Sequence, residues 1–382
     1  MEIFELPLDV VHLQRYVRYI SILKGVPYRQ YKHEVNQLLS GDMGKVWRRR
    51  RIIHRLLQKY GVNDQRSAQW HSKRSEMITA SEVTKAFSDA TPSARRELIL
   101  KKVEGAKESD GSGMNTACAW GTQFEPVAKY LYCKLNGGGE VVDTSCVVHP
   151  VYSFLGASPD GIYFTPSRSD PRWGKLIEFK CPISRKFDET TPIPDAYYHQ
   201  MQMQMECTDI DECDYVEMRF ATLTQTDWLS HPAQYKGKFA LFDSGKINYD
   251  YENDPDWRRR MRDIEDDECR IIYWVLANWR VANVKRDYTW LSTHIEDLKS
   301  TWNEVLEHRK NGTVPEKIEK VSEVVSESGV EVINGAVTSE PHKVQPEVQS
   351  IPLVVPSVDQ EPSCCSSSVH KKNAKTLQFD LG

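Results

Sequence analysis

The chain has 382 residues, 40% hydrophobic and 27% charged, and a formal charge of -4. That length suits two or three domains or one enlarged one, and an acidic balance, taken whole, argues against a nucleic-acid binder. No apolar run approaches the roughly 20 residues that span a bilayer.

The N-terminal stretch MEIFELPLDVVHL carries acids where a secretory signal has a basic start and an apolar core. The nine cysteines are scattered without a CxxC pair, which suits reduced thiols. An intracellular, reducing location is therefore expected, neither secreted nor in a membrane.

Residues 1–66 read as a helical, basic extension. Trp47, Ile52, Leu56 and Tyr60 recur at near-helical spacing. Around them crowd Lys45, Arg48, Arg49, Arg50, Arg51, Arg55 and Lys59. Four consecutive arginines repel one another unless something anionic is near, so Arg48, Arg49, Arg50 and Arg51 are candidate contacts for a DNA backbone. A solvated helix face or a nuclear-localisation signal reads the same way.

Residues 67–254 mix helix and strand patterns. Phe124, Ala128, Leu131 and Leu135 form a helical stripe with Glu125 off it, and Pro126 is best tolerated in a first turn, so a helix is expected to begin close to Glu125. Pro159-Asp160-Gly161 is a turn between two strand-like runs. Residues 174–182, GKLIEFKCP, read as a strand after a glycine and before a proline. Leu176, Glu178 and Lys180 share one face of it, and Ile177, Phe179 and Cys181 the other. If the strand from Asp160 pairs back against it, Asp160 and Glu178 meet. The run from His199 to Met205 alternates Gln and Met at period two, which suits a strand, yet both residue types favour helix. As a helix it puts Tyr197, Gln200 and Gln204 on one face, from which Gln200 can reach the site, while for Gln202 and Gln204 simple exposure to solvent is the alternative.

Residues 255–310 are expected to return to helix. From Asn311 to Gly382 there are six prolines, one aromatic residue, and six lysines against ten acidic residues. This composition cannot bury enough surface to offset ordering entropy, so a disordered acidic tail is expected. The first 310 residues then hold 44 basic and 44 acidic groups. The final residues from Lys371 restore Leu377, Phe379 and Leu381, a candidate short motif for a sliding clamp or an annealing protein.

Glu125, Asp160 and Glu178 are hard oxygen donors suited to Mg²⁺ or Mn²⁺. An ion held there can generate hydroxide and support an in-line displacement at phosphorus, and Lys180 beside it can orient water or neutralise charge.

Asp160 followed by Glu178-x-Lys180 resembles the PD-(D/E)XK nuclease pattern. More of the chain, roughly residues 68–225, resembles its lambda-exonuclease or YqaJ-type viral recombinase branch. The shared motifs are Trp70-His71 with Arg74, Ile78-Thr79-Ala80-Ser81, Gly121 to Glu125, Lys180-Cys181-Pro182 with Arg185, and Ala196-Tyr197-Tyr198-His199-Gln200-Met201-Gln202. The loop before Arg185 is one residue shorter than the family's, and Lys186 is the alternative there.

The resemblance implies an α+β fold, with a central mixed sheet flanked by helices, and the chain's own patterning adds helices at both ends. It implies Glu125, Asp160, Glu178 and the Phe179 carbonyl as metal ligands, a pair of Mg²⁺ ions (Mn²⁺ substituting), Lys180 as catalytic lysine and Gln200 beside it. Arg74, Ser81, Ser158 and Arg185 are implied as the grip on a DNA 5′-phosphate. The function expected is a 5′-to-3′ exonuclease on double-stranded DNA ends that leaves 3′ single strands for recombination. A structure-specific or restriction-like endonuclease and a non-catalytic end-binding protein are the rivals. Homo-oligomerisation and a virus-infected host cell, cytoplasm or nucleus, are further implied.

Overall fold

The computed structural model describes residues 17–19, 21–27, 30–31, 40–61, 67–105, 116–257 and 269–316. In chain order the elements are α1 (Asp42–Tyr60), α2 (Ala68–Ser75), β1 (Ile78–Thr79), a 3-10 helix (Ala80–Ala86), α3 (Pro92–Glu104) and α4 (Thr116–Leu135). Then come β2 (Glu140–Val142), β3 (Val147–Val148), β4 (Leu155–Ala157), β5 (Gly161–Phe164), β6 (Lys175–Lys180), α5 (Asp195–Thr208) and β7 (Glu212–Leu223). The last are α6 (Gln225–Ser230), β8 (Lys236–Phe242), β9 (Ile247–Asp250), β10 (Cys269–Lys285) and α7 (Trp290–Asn311).

The strands form two sheets. A large one runs β2-β5-β6-β7-β10-β8-β9 and a small one runs β1-β4-β3. In the large sheet β6 and β7 are parallel and the other neighbours antiparallel. A parallel pair needs a crossover, and α5 supplies it. This is the mixed sheet flanked by helices that the sequence led us to expect.

Strand β6 is covered on both faces. Ile177 and Phe179 pack with Phe124, Val127, Ala128 and Leu131 of α4. Leu176 packs with Met201 and Met205 of α5 and with Ile52 and Ile53 of α1. The face carrying Glu178 is therefore interior rather than solvated. Gly161 at the start of β5 is required by close approach: a Cβ there would stand 2.9 Å from the Val142 carbonyl and closer still to the Val141 side chain.

Helix α5 resolves the period-two ambiguity. Every residue from Gln200 to Thr208 is buried. Met201 and Met205 face the large sheet, while Met203 and Cys207 face Ile78 and Leu155 of the small one and Ala80 of the 3-10 helix. A helix apolar on opposite sides is one packed on both, and its sequence then mimics strand alternation.

Three expectations need correction. Residues 269–285 are not helical: they form the 17-residue β10, paired with β7 on one side and β8 on the other. The density of Ile, Tyr, Trp and Val in that stretch is the strand signal, and the sheet therefore runs past the 254/255 boundary. Helix α4 begins at Thr116 rather than near Glu125, with Pro126 inside it; burial of Phe124, Val127 and Ala128 outweighs the hydrogen bond that Pro126 cannot donate. The extension's helix does form as α1, but Arg49 in it is 1% exposed and turned inward. The expected tail from 311 is described only to 316, and the remainder, with the motif at its end, lies outside the described residues. Among the described residues no helix is long and apolar enough to cross a membrane.

Candidate active site

Two clusters meet where β4 hands over to β5. The first is built on the carboxyl end of β6. The register Gly161↔Ile177 sets the two strands antiparallel and carries Asp160 opposite Glu178, where its Oδ2 accepts the neighbouring Phe179 N–H at 2.8 Å. Backbone N–H and C=O of one strand residue point to the same side, which turns the Phe179 carbonyl toward Asp160 too.

Glu178 is 1% exposed and held from three directions. Lys180 Nζ and Gln200 Nε2 (2.6 Å) donate to Oε1, and Gln204 Nε2 donates to Oε2 at 2.7 Å. Gln200 and Gln204 are four residues apart and so share one helix face. Gln200 Oε1 also accepts from Lys180 Nζ at 3.3 Å, and that ammonium lies 4.6 Å from the centre of the Tyr197 ring.

The electrostatics of this end are tense. Burial, then the nearby Glu178 and Glu125 carboxylates, push the Asp160 carboxyl well above its usual range. Burial alone would lower Lys180, but Glu178 and Asp160 outweigh it and raise its pKa. Lys180 is thus an ammonium at neutral pH. Cys181 is raised by burial and then by Glu125 and Asp160, and stays a thiol.

Glu125 stands in the middle of α4, where its carboxylate accepts Lys129 Nζ at 2.8 Å; Lys129 also reaches Asp143 at 2.6 Å. Among the described residues no three His, Cys, Asp or Glu side chains are already closed into a metal cage. The donor set nevertheless fits a hard divalent cation. Asp160, Glu178 and Glu125 repel one another, and Lys180 and Lys129 now supply the compensating charge that such an ion would bring.

The second cluster is positive. Arg74, in the last turn of α2, donates from Nη2 to Ser81 Oγ at 3.1 Å and Thr79 Oγ1 at 3.2 Å, and from Nη1 to Ser158 Oγ at 3.5 Å. Its guanidinium carbon lies 4.2 Å from the centre of the Trp70 ring, and Trp70 Nε1 donates to Ser158 Oγ at 3.0 Å. Ser81 lies in the first turn of the 3-10 helix, which Thr79 and Glu82 close with a capping box. Glu82 is 7% exposed. Burial alone would raise its carboxyl, but Lys102 and Lys101 outweigh it and hold the group at about 2.

The structure therefore brings together Arg74, Ser81 and Ser158, and separately Asp160, Glu178, Lys180 and Gln200. Ser158-Pro159-Asp160 joins the two groups. Arg185 lies apart from the positive cluster: its guanidinium donates to Glu217 and, at 3.0 Å, to the Tyr215 hydroxyl. Its short loop after Pro182 carries it over β7 instead. The arginine run disperses around α1. Arg49 pairs with Asp211 and Glu212, both at 3.2 Å, and donates to the Pro171 carbonyl at 2.6 Å. Arg48 reaches Asp211 at 3.8 Å, Arg50 lies over Trp173, and Arg51 is exposed. The anionic partner that the run calls for is, for Arg48 and Arg49, the protein's own acidic pair. For Gln204 the i+4 spacing gave the face shared with Gln200 but not its burial, and the structure turns it onto Glu178.

Residues 69–211 match the YqaJ-like viral recombinase domain. An uncharacterised protein of Acanthamoeba polyphaga mimivirus is 24% identical over 201 residues, 50% of this chain and 35% of that protein. The chain thus covers about a third of that curated relative's length. Among solved structures, an alkaline exonuclease from Laribacter hongkongensis superposes with TM-score 0.39 at 22% identity over 64% of this chain and 95% of that one. A phage-related exonuclease from Haemophilus somnus gives TM-score 0.33 at 17% identity, over 62% and 96%.

Proposed function

From the YqaJ-like viral recombinase domain over residues 69–211, we propose that the protein is a divalent-metal-dependent deoxyribonuclease of the PD-(D/E)XK type. Its substrate is the end of double-stranded DNA, its direction 5′ to 3′, and its products nucleotides and a 3′ single strand for recombination. The observation that carries this reading is that a carboxylate–lysine centre and an arginine–hydroxyl cluster adjoin through Ser158-Pro159-Asp160.

Each residue's part follows from its chemistry. Glu125, Asp160, Glu178 and the Phe179 carbonyl would hold Mg²⁺, or Mn²⁺ in its place. Bound there, the ion supplies Lewis-acid stabilisation of charge at the scissile phosphate and lowers the pKa of water. Gln200 and Gln204 fix the Glu178 carboxylate so that it meets its ligand without reorganisation. Lys180 stays protonated, so it donates a hydrogen bond to the attacking water or the phosphate oxygens rather than taking a proton. Arg74 spends its hydrogen bonds on hydroxyls, not on carboxylates. That leaves its charge for an incoming anion, and a planar fork beside Ser81 and Ser158 suits a terminal phosphate.

The test compares linear duplex with covalently closed circles, 5′-phosphate with 5′-hydroxyl ends, and Mg²⁺ with its omission. Digestion of linear phosphorylated duplex alone, and only with the metal, is expected. Ready nicking of closed circles would instead favour a structure-specific or restriction-like endonuclease. End binding without hydrolysis in any arm would favour a non-catalytic end-binding protein. An annealing protein or sliding clamp as partner of the tail, and a homo-oligomeric state, extend the same proposal.

A further inference from the structure

Arg74 stands at the carboxyl end of α2, where the last four carbonyls of a helix lack intrahelical partners. Each one here is met. Ser72 O accepts from Ser75 Oγ at 2.7 Å, and Lys73 O from the Glu76 N–H at 3.3 Å. Arg74 O accepts from Lys102 Nζ at 2.9 Å, and Ser75 O from Arg309 Nη2 at 3.1 Å. Two of the four caps therefore come from cations of other helices.

Arg309 does more than close α2. Its Nη2 and Nε also donate to the Lys102 carbonyl near the end of α3, at 2.6 and 3.2 Å, and its Nη1 donates to the Glu76 carboxylate at 2.7 Å. One guanidinium so holds the negative ends of two helix dipoles together. Its own place is fixed by the last turn of α7 and by Trp302, whose ring lies 5.5 Å away. Buried Lys102, held by Arg309 through its carbonyl, in turn binds Glu82 at 2.7 Å. The 3-10 helix that bears Ser81 is thus tied to the same point.

We propose that Arg309 is a positioning residue: from α7, outside the segment that matches the family, it fixes Arg74 against Ser81 and Ser158 and thereby sets the grip on a terminal phosphate. This rests on the proposed function. Arg309 bonds to none of Glu125, Asp160, Glu178 and Lys180, so its effect is on recognition of the end rather than on the chemical step. Lysine is a poor substitute, because one ammonium cannot span two carbonyls and a carboxylate as a planar fork does.

The test uses the full chain as wild type, Arg309→Ala, Arg309→Lys and Arg74→Ala. Initial rates are taken on linear duplex with 5′-phosphate or 5′-hydroxyl ends, with the folded fraction measured in parallel. In Arg309→Ala the preference for phosphorylated ends should fall by roughly ten- to a hundredfold, the size expected of a misplacement of about 1 Å. The loss should appear in KM for phosphorylated ends, with the rate on hydroxyl ends per folded molecule retained. Arg309→Lys should restore part of the preference. A merely structural Arg309 would lower both rates together and leave the ratio intact, and that result overturns the inference. If the wild type shows no preference for 5′-phosphate, or Arg74→Ala keeps it, the functional reading itself fails. If wild type and Arg74→Ala behave as expected and the Arg309→Ala ratio does not move, only the present inference fails. Should Arg309→Ala not fold, Glu76→Gln weakens the same clasp and reads out the same ratio.

Discussion

Glu178 shows how a carboxylate is kept ready in an interior. At 1% exposure an unpaired carboxylate would be costly, and two glutamines with one lysine meet its oxygens. Replacing it with alanine should abolish hydrolysis while duplex binding, measured by fluorescence anisotropy without added metal, is largely kept. Undiminished cleavage would sink the site assignment. Glu82 gives a second residue-level expectation. Its folded pKa of about 2 lies below the ordinary 4.5, so its stabilisation is complete above pH 4.5 and is lost as the pH falls toward 2. A shift of that size corresponds to about 3 kcal/mol. Urea unfolding between pH 6 and pH 3 should show a steeper loss of stability in wild type than in Glu82→Gln; parallel slopes would contradict the pairing.

Helix α1 and strand β10 bring out what elements add to residues. The Arg49 guanidinium bridges α1 to Asp211 and Glu212 at the foot of β7. Removing one partner of such a buried pair should cost about 3 kcal/mol, whereas exposed Arg51 should change stability by less than ~0.5 kcal/mol when replaced by alanine. Duplex-binding titrations against salt reverse the order: Arg51→Ala should reduce the slope by about one if it meets a phosphate, and Arg49→Ala should not. Equal slopes for all three proteins would remove α1 from the DNA surface. The sequence made β5 and β6 legible because Asp160 and Glu178 sit at turn and strand signals that are local. Gln200 was legible through helix spacing. Arg49 was not, because its acidic partners lie more than 160 residues away. Nor was β10, since aromatic residues interleaved with charges fit a helix face until β7 and β8 are known to flank them. Pro126 misled for a related reason: helix α4 is held by packing on β6, not by local hydrogen bonding.

For the whole molecule, the neutral 310-residue body and the acidic remainder make the formal charge of -4 a poor guide to the surface that meets the substrate. Charge is sorted locally, with carboxylates around β6 and the Arg74 cluster beside them. Chelation with EDTA should end hydrolysis without changing the far-UV circular dichroism, and readded Mg²⁺ should raise the unfolding temperature by relieving the repulsion among Asp160, Glu178 and Glu125. Activity that survives chelation would remove the metal from the proposal. The two sheets have one more consequence. Strand β4 belongs to the small sheet and β5 to the large one, and Ser158, Pro159 and Asp160 alone connect them. From Ser158 to Asp160 the chain takes two Cα steps, at most about 7 Å, while one DNA strand advances about 3.4 Å per nucleotide. On the proposed chemistry the seam between the sheets would act as a ruler that keeps the held end close to the bond that is cut, so the material released at each turnover should be short rather than a long fragment.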